Sequence, residues 1–232
     1  KDSKLAIDSL REVATSAIIV GQFEKAAALF QVLGKRGDPS SIEVAGRLYE
    51  GAGNLTEAAN EFRYYLETFK TGSSRGQVQL SLSEWYQFSK ADSQAVKYLK
   101  QCFEENNDAS AECGARLADL YMRLENTAQA NHYYNAVAAR GDSKSKKGKS
   151  SGDTSPWIGY ARFHIASSVE RSAQFKPLTL PDDKLKRGLD ERLKFLEKLN
   201  KSYQGVVEVA GPWAVAALDN LGAWVANFAD DI

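Results

Sequence analysis

One catalytic pattern occurs in this sequence of 232 residues: Gly72-Ser73-Ser74-Arg75-Gly76 satisfies G-x-S-x-G. In hydrolases this pattern places a nucleophilic serine on a sharp turn between a strand and a helix, with an acid and a histidine following in the chain. Here the flanking sequence predicts a helix before the pattern and no strand. We therefore interpret this stretch as a loop rather than a nucleophile.

A second pattern, Gly148-Lys149-Ser150, ends like a phosphate-binding loop. Such a loop needs a glycine five residues before Gly148, and Ser143 stands there instead. No strand precedes the pattern either. We interpret it as a solvated basic loop that could still touch an anionic lipid or an acidic partner.

Histidine and cysteine are the remaining residue types that could bind a metal. His132 and His164 are far apart and have no Cys or Asp at ligand spacing, so we interpret both as packing or surface residues. The sequence therefore predicts no metal and no cofactor. Because no Ser/His/Asp, metal or phosphate constellation is present, we also predict that the chain is not an enzyme.

Charge and composition restrict the class of partner. Lys plus Arg and Asp plus Glu number 30 each, whereas a nucleic-acid-binding protein should carry a basic face, so we predict no nucleic-acid partner. Apolar residues make up 43% of the chain, enough for a sizeable core. The most apolar stretch, residues 206–229, contains Glu208, Pro212 and Asp219, and we interpret it as a core helix rather than a membrane span.

A repeat organises the first 139 residues. An alanine recurs nine residues after an aromatic residue and four residues before a large apolar one. The copies are Tyr49, Ala58 and Phe62; Tyr86, Ala95 and Leu99; Tyr121, Ala130 and Tyr134; and, more weakly, Ala17, Ala26 and Phe30. The alanines are 32, 37 and 35 residues apart, a period that predicts stacked helical hairpins. Such stacks usually hold another molecule on one face.

Apolar periodicity and turn residues set the predicted helix limits. We predict two helices within 5–33 broken near Gly21, with Thr56 as one N-cap and Asp92 or Ser93 as another. The other predicted helices cover 41–50, 56–69, 78–89, 93–104, 110–124 and 127–139.

The two cysteines have two interpretations in this arrangement. Cys102 and Cys113 could be buried small hydrophobic residues, as isolated cysteines commonly are. Alternatively, Cys102 lies late in the second helix of hairpin three and Cys113 early in the next helix, close enough for a disulfide, which would imply an oxidising compartment.

The repeat pattern does not continue after residue 139. Residues 140–155 contain no apolar side chain and predict a flexible basic loop. Helices predicted over 157–171, 183–201 and 212–229 follow, off the period, as terminal repeats that cap a stack often are. We therefore divide the chain into four hairpins (1–139), the loop (140–155), and a degenerate fifth repeat with capping helices (156–232).

The repeat resembles the tetratricopeptide repeat family over about residues 5–139. The copy that carries the resemblance best contains Gly46, Tyr49, Gly53, Leu55, Ala58 and Phe62. The resemblance implies an all-α, right-handed solenoid with an atypical C-terminal helical cap. The sequence departs from the family at the turn, where Lys90 and Glu125 replace glycine, and at Ala17, where the family has tyrosine.

The C-terminal region also has a family likeness. Trp157, Ala161 and His164 stand where a fifth repeat would place its tryptophan, small residue and aromatic. The stretches 203–207 and 213–228 resemble bacterial envelope repeat proteins of the gliding-motility kind. This resemblance implies a periplasmic or envelope-associated protein, with the cytoplasm as the alternative.

The first helices of the hairpins are expected to line a concave face. Its mixture of charges with Phe88 and Met122 suits an extended peptide or a helix, and it lacks the family's clamp of Lys and Asn for chaperone C-termini. The residues predicted to bind a partner are Arg11, Thr15, Arg47, Glu50, Glu84, Phe88, Asp119, Met122, Arg123 and Arg162.

Three functions follow from the sequence. The favoured one is a non-catalytic scaffold that holds a protein or peptide partner and helps assemble a larger complex. The second is a regulatory fragment of a larger enzyme. The third is a peptidoglycan- or sugar-binding module that uses exposed Trp157, Trp213 and Trp224, which we expect instead to be buried in the terminal cap.

Overall fold

A computed structural model describes residues 2–145, 155–175, 177–178, 180–209 and 211–230 as eleven helices and connecting turns. The helices are α1 (Asp2–Ile19), α2 (Phe23–Gly34), α3 (Pro39–Gly51), α4 (Leu55–Thr68), α5 (Arg75–Phe88), α6 (Asp92–Glu104), α7 (Ser110–Arg123), α8 (Thr127–Ser145), α9 (Pro156–Arg171), α10 (Asp182–Val207) and α11 (Pro212–Asp230). The predicted helices are all present, with ends shifted by up to six residues.

The chain forms two compact units, Lys1–Cys113 (unit 1) and Gly114–Ile232 (unit 2), which divide within α7. The repeat in the sequence predicts a boundary after residue 139 instead. The predicted start of the loop at residue 140 is wrong, because α8 continues to Ser145. Gly141 lies against Ile158 of α9, and this packing offsets the poor helix propensity of the segment. Residues 146–154, including Gly148-Lys149-Ser150, lie outside the described part.

The core of unit 1 is built by the repeat. Each helix from α1 to α5 packs against the next one in the chain. The predicted alanines Ala26, Ala58 and Ala95 are all buried, because a small side chain lets two helices approach closely. Gly46 serves the same purpose, since a Cβ atom there would collide with the ring of Phe62.

Each of the four hairpin turns has one residue with positive φ. Gly21 (φ 77°) and Gly53 (φ 79°) are glycines, but Lys90 (φ 58°) and Glu125 (φ 58°) are not. A left-handed residue after a helix lets the chain reverse while the last helical carbonyl groups keep their hydrogen bonds. Lys90 and Glu125 therefore adopt the same left-handed conformation as Gly21 and Gly53.

The caps of the second helices differ from the prediction. Thr56 is not an N-cap, because α4 begins at Leu55 and the side chain of Asn54 accepts a hydrogen bond from the Glu57 amide (3.4 Å). Neither Asp92 nor Ser93 caps α6: the N-cap is Ala91, which has no side chain that can accept a bond.

Cys102 of α6 and Cys113 of α7 form a disulfide within unit 1, with their Cα atoms 5.9 Å apart. Both residues are fully buried. The sequence left two interpretations open, buried free cysteines or a disulfide, and the structure has the disulfide. Cys102 lies late in the second helix of hairpin three and Cys113 early in the next helix, as that interpretation required.

Three helices, α9, α10 and α11, pack around one another in unit 2. Their core contains Leu199, Tyr203 and Val206. The carboxylate of Glu170 on α9 joins all three helices, because it accepts hydrogen bonds from Tyr203 Oη of α10 (2.5 Å) and from Trp224 Nε1 of α11 (2.7 Å).

Candidate functional site

The predicted site residues lie on the first helices of the hairpins: α1, α3 and α5 in unit 1, and α9 and the part of α7 after Cys113 in unit 2. We call the surface of these helices the first-helix face, and describe it separately for each unit. The contacts show which of these side chains have partners within the protein.

Arg11 connects the first hairpin to the second. Its Nη2 lies 3.2 Å from Asp38 Oδ2, and Asp38 is also the N-cap of α3. Burial alone would raise the pKa of Asp38, but hydrogen bonds from the hydroxyl and amide groups of Ser40 and Ser41 hold it below its ordinary value. Arg11 therefore contributes to the joint between hairpins.

Arg47 connects the second hairpin to the third. Its Nη1 lies 3.1 Å from Glu50 Oε2 and also donates to Ser81 Oγ of α5, while its guanidinium lies 5.1 Å from the centre of the Phe62 ring. Arg47 and Glu50 therefore have intramolecular partners, and they fix the spacing of α3 and α5 on the first-helix face.

The end of α5 presents the most exposed aromatic side chain in the described residues. Phe88 is 77% exposed, and Glu84, one turn earlier on the same helix, is also exposed. Thr15 of α1 is exposed too, and its hydroxyl donates to the carbonyl of Arg11. Unit 1 thus combines fixed charges with an uncovered apolar group.

Asp119 forms the centre of a polar aromatic cluster in unit 2. Its carboxylate accepts hydrogen bonds from the hydroxyls of Tyr134 (2.5 Å) and Tyr160 (2.8 Å). Burial, together with the Asp119 charge, raises the pKa of both tyrosines, so they stay protonated donors. The cluster ties α7, α8 and α9 together, which is a structural role.

Both histidines lie in aromatic surroundings, in agreement with their prediction as packing or surface residues. His164 stacks on Tyr134 with ring centres 4.9 Å apart, and burial lowers its pKa. His132 lies edge-on to Tyr133 at 5.1 Å. Within the described part of the chain, no group of three or more His, Cys, Asp or Glu residues is arranged to hold a metal.

The remaining predicted residues of unit 2 are Arg162, Met122 and Arg123. Arg162 donates to the carbonyl oxygen of Gly205 (2.7 Å), in the last turn of α10, where helix carbonyl groups lack internal partners. Met122 is 39% exposed, and Arg123 is exposed at the end of α7.

The tryptophans needed for sugar binding, which we expected to be buried in the terminal cap, are half-buried. Trp213 and Trp224 pack against the core of α9–α11, and Trp224 is also hydrogen-bonded to Glu170. Trp157 lies beside Tyr160, under the guanidinium of Arg116 at 5.5 Å. Each ring thus has intramolecular partners.

Two further residues of the first-helix face were not predicted from the sequence. Ile19 and Gly51 are the last residues of α1 and α3, as Phe88 is of α5. Ile19 is 80% exposed. The signal was present in the sequence, because each of the three lies two residues before the turn residue of its hairpin.

No helix in the described ranges combines the length and the apolar composition that crossing a bilayer would require. Likewise, the stretch 72–76 does not form a nucleophile elbow: a helix rather than a strand precedes it, Ser74 is the N-cap of α5, and Arg75 and Gly76 are the first two residues of that helix.

Comparison with known proteins gives the fold. A tetratricopeptide repeat protein from Parabacteroides merdae superposes with a TM-score of 0.54 and 11% identity, over 98% of this chain and 80% of that one. The chain has the tetratricopeptide-repeat fold. The protein MamA superposes with a TM-score of 0.53 and 13% identity, over 85% of this chain and 92% of that chain. PilF of Pseudomonas aeruginosa gives 0.51 and 10%, over 98% and 90% of the two chains.

No family sequence model and no curated protein sequence matches the chain. The tetratricopeptide-repeat fold confirms the predicted fold class, an all-α solenoid of helical hairpins. Proteins of this fold act in general as surfaces for other proteins.

Proposed function

We propose that this protein is a non-catalytic scaffold that holds a segment of a partner protein on its first-helix face. The observation that carries the proposal is Phe88, an aromatic side chain that is 77% exposed at the end of a first helix. Aromatic side chains are enriched in protein–protein interfaces and among the residues that carry most of the binding energy.

The contacts around Arg47 support the same role. A surface binds with less loss of entropy when its own elements are already fixed. Arg47 connects α3 to α5, and Arg11 connects α1 to the start of α3. A partner would therefore meet a first-helix face whose helix spacing is set before binding.

We also propose that the protein works in an oxidising compartment of a bacterial envelope, where it helps assemble a larger complex. The buried disulfide between Cys102 and Cys113 supports this location, because disulfides persist in oxidising compartments. Intact-mass measurement of protein taken directly from its cells, with thiols blocked on lysis, tests this. Fully blocked thiols on both cysteines would favour the cytoplasm.

Site-specific photo-cross-linking tests the scaffold role. A photoreactive phenylalanine analogue replaces Phe88 or Met122 on the first-helix face, and matched variants carry it at Gln101 of α6 or Gln129 of α8, which are exposed on second helices. We expect discrete cross-linked products from the first pair in cells of the source organism and none from the second. Cross-links from Gln101 and Gln129 alone would overturn the proposal.

A further inference from the structure

Helix α11 (Pro212–Asp230) is apolar on two opposite sides. Its inner side packs against α9 and α10 and buries Ala217. Its outer side presents Val215, Leu218 and Val225, which are 62%, 55% and 48% exposed. A helix that is apolar all round is ordinarily covered all round, so the outer side of α11 has the composition of a second packing surface.

The exposed apolar residues of α11 follow the spacing of a coiled coil. Val215, Leu218, Gly222 and Val225 are three, four and three residues apart. This is the spacing of the a and d positions of a heptad, which lie on one stripe of a helix. We call these four residues the α11 seam. A Cβ atom at Gly222 would meet no atom within 4 Å, and φ there is not positive, so the fold of one chain does not require this glycine.

The α11 seam is complementary to itself when two such helices run antiparallel. Residue numbers rise along one helix as they fall along the other, so each a position faces a d position. Leu218 then faces Gly222 of the partner subunit, Val215 faces Val225 of the partner subunit, and the two-fold axis repeats both contacts. A parallel pair would instead set leucine on leucine and glycine against glycine, leaving an empty space at the glycines.

One border of the α11 seam is apolar as well. Ala214, Leu221 and Phe228 are half-buried and lie seven residues apart, at the g positions beside the seam. In the antiparallel pair Leu221 lies beside Leu221 of the partner subunit, near the two-fold axis. Ala214 lies beside Phe228 of the partner subunit, so a small residue again faces a large one.

The other border of the seam carries a charge. Asp219 is exposed there, and the antiparallel pair brings it near Asp219 of the partner subunit. Residues 212–230 contain no lysine or arginine that could neutralise these carboxylates. Since both are open to water and salt, their repulsion weakens the pair only modestly.

The contact area predicts a weak, reversible dimer. Residues 214–228 cover about 21 Å of helix at about 1.5 Å per residue. A strip of that length and of roughly the 10–12 Å width of a helix buries on the order of 400 Å² per subunit, about half of what a standard interface buries. Interfaces of this size belong to transient complexes.

We propose that α11 is a dimerisation helix, whose seam packs antiparallel against α11 of a second copy of this chain. The inference is independent of the proposed scaffold function, because α11 is not part of the first-helix face. A dimer would carry two copies of that face and could hold two partner segments at once.

Sedimentation velocity of the intact chain tests the proposal. Concentrations from about 1 to about 300 μM bracket the affinity expected for so small an interface. We expect a reversible equilibrium between monomer and dimer. A protein that stays monomeric at every concentration would overturn the proposal and leave the outer side of α11 to a helix of another protein.

Two variants locate the contact on the α11 seam. Leu218→Lys places a charge in the seam and should raise the dissociation constant of the dimer at least tenfold. Leu193→Lys is its matched control, because Leu193 is 46% exposed on α10, and should change the constant less than twofold. A dimer that is equally stable in Leu218→Lys would contradict the proposal.

Gly222→Leu separates a shaped contact from a merely adhesive one. The added side chain fills the space that Leu218 of the partner subunit needs, so the dissociation constant should rise at least tenfold. Ala223→Leu adds the same group one residue later, at an exposed position outside the seam, and should have little effect. Tighter association in Gly222→Leu would show non-specific apolar adhesion and overturn the proposal.

Asp219→Asn tests whether the occupant is a second copy. Removing the repulsion between the two carboxylates should strengthen the dimer about twofold to fivefold at low salt. A weaker dimer would mean that Asp219 meets a cationic group, which the antiparallel arrangement does not provide. Circular dichroism of every variant checks folding, which is expected because all the substituted residues are exposed.

Cysteine cross-linking determines the direction of the helices. Leu218→Cys and Gly222→Cys proteins are prepared separately and then mixed, and the native Cys102 and Cys113 are already joined in a buried disulfide. The mixture should form a linked dimer at least fivefold faster than either protein alone, because position 218 faces position 222. Faster linking of each protein with itself would indicate a parallel pair and overturn the proposed arrangement.

Discussion

The backbone amide of Asn54 donates a hydrogen bond of 2.8 Å to the backbone carbonyl oxygen of Tyr49, the aromatic residue that marks the repeat. The same bond, also 2.8 Å, recurs in the other three hairpins: Gln22 to Ala17, Ala91 to Tyr86, and Asn126 to Tyr121. Each closes the first helix across the positive-φ residue, as in the Schellman motif. The spacing of the repeat is therefore fixed by backbone geometry even where Ala17 replaces the aromatic.

Glycine at the third and fourth turns should stabilise the protein. Lys90 and Glu125 have φ of 58°, a conformation that costs a residue with a side chain roughly 1 kcal/mol. Lys90→Gly and Glu125→Gly should each raise the free energy of unfolding by about that amount, measured by urea denaturation. Gly53→Ala is the reciprocal control and should lower it; a loss of stability in both glycine variants would contradict this account.

An asparagine at position 91 should supply the missing cap of α6. Ala91 has nearly the same backbone angles (φ −99°, ψ 55°) as Asn54 (φ −85°, ψ 67°), whose side chain caps α4. Ala91→Asn should therefore stabilise the protein by about 1 kcal/mol, and Asn54→Ala should destabilise it by a similar amount. Thermal unfolding followed by circular dichroism measures both; no gain in Ala91→Asn would show that the turn does not accept the cap.

The sequence predicted the architecture well because the repeat is a recurring pattern of small and large side chains. Alanine at the helix crossings and aromatic residues nine positions earlier are packing requirements that recur with the period. The caps were less predictable: Thr56 and Asn54 both favour an N-cap, and only the backbone turn after Tyr49 decides between them. The extension of α8 depends on the contact of Gly141 with Ile158, which composition does not reveal.

The disulfide should contribute measurably to stability. Cys102 and Cys113 are eleven residues apart and join α6 to α7, so the cross-link restricts the unfolded chain. Replacing both by alanine should lower the free energy of unfolding by about 2–3 kcal/mol. Urea denaturation of the wild type with and without a reducing phosphine provides the control; identical curves for the two forms would mean that the cross-link contributes nothing.

Glu61 should make stability depend on pH. It is only 4% exposed, Gln31 donates to its Oε1, and its Oε2 has no hydrogen-bond partner. Burial raises the pKa of Glu61 above its ordinary value. Because the folded pKa lies above the unfolded one, protonation favours the folded state.

The stabilising contribution of protonated Glu61 is therefore present below the ordinary glutamate pKa and is lost as pH rises through the folded value. Glu61→Gln should remove this loss and be more stable than the wild type at neutral pH. Urea denaturation across that pH window measures it, with exposed Glu67→Gln as the control. An unchanged pH slope in Glu61→Gln would rule out this role.

Glu170 should hold the helices of unit 2 together. A glutamine can accept at one oxygen only, so Glu170→Gln leaves either Tyr203 or Trp224 without its acceptor and should cost about 2 kcal/mol. The variant should also change the fluorescence of Trp224, whereas Glu191→Gln, on the exposed side of α10, should not. Wild-type stability and fluorescence in Glu170→Gln would contradict the three-helix role of this carboxylate.

The sequence was less informative about the site. Helical position places Arg11, Arg47, Asp119 and Arg162 on the first helices, but long polar side chains there also reach neighbouring elements, and all four do so. A charged residue at such a position can therefore either connect two hairpins or bind a partner, and its charge alone does not show which. Exposure of an apolar side chain is the better signal, and it requires the structure.

Hydrogen–deuterium exchange of the intact protein, with and without the partner recovered by cross-linking, shows directly whether the partner covers the first-helix face. A partner on the first-helix face should slow exchange in the last turns of α1, α3 and α5 and leave α2, α4 and α6 unchanged. Slower exchange confined to the second helices, or to α10 and α11, would contradict the account.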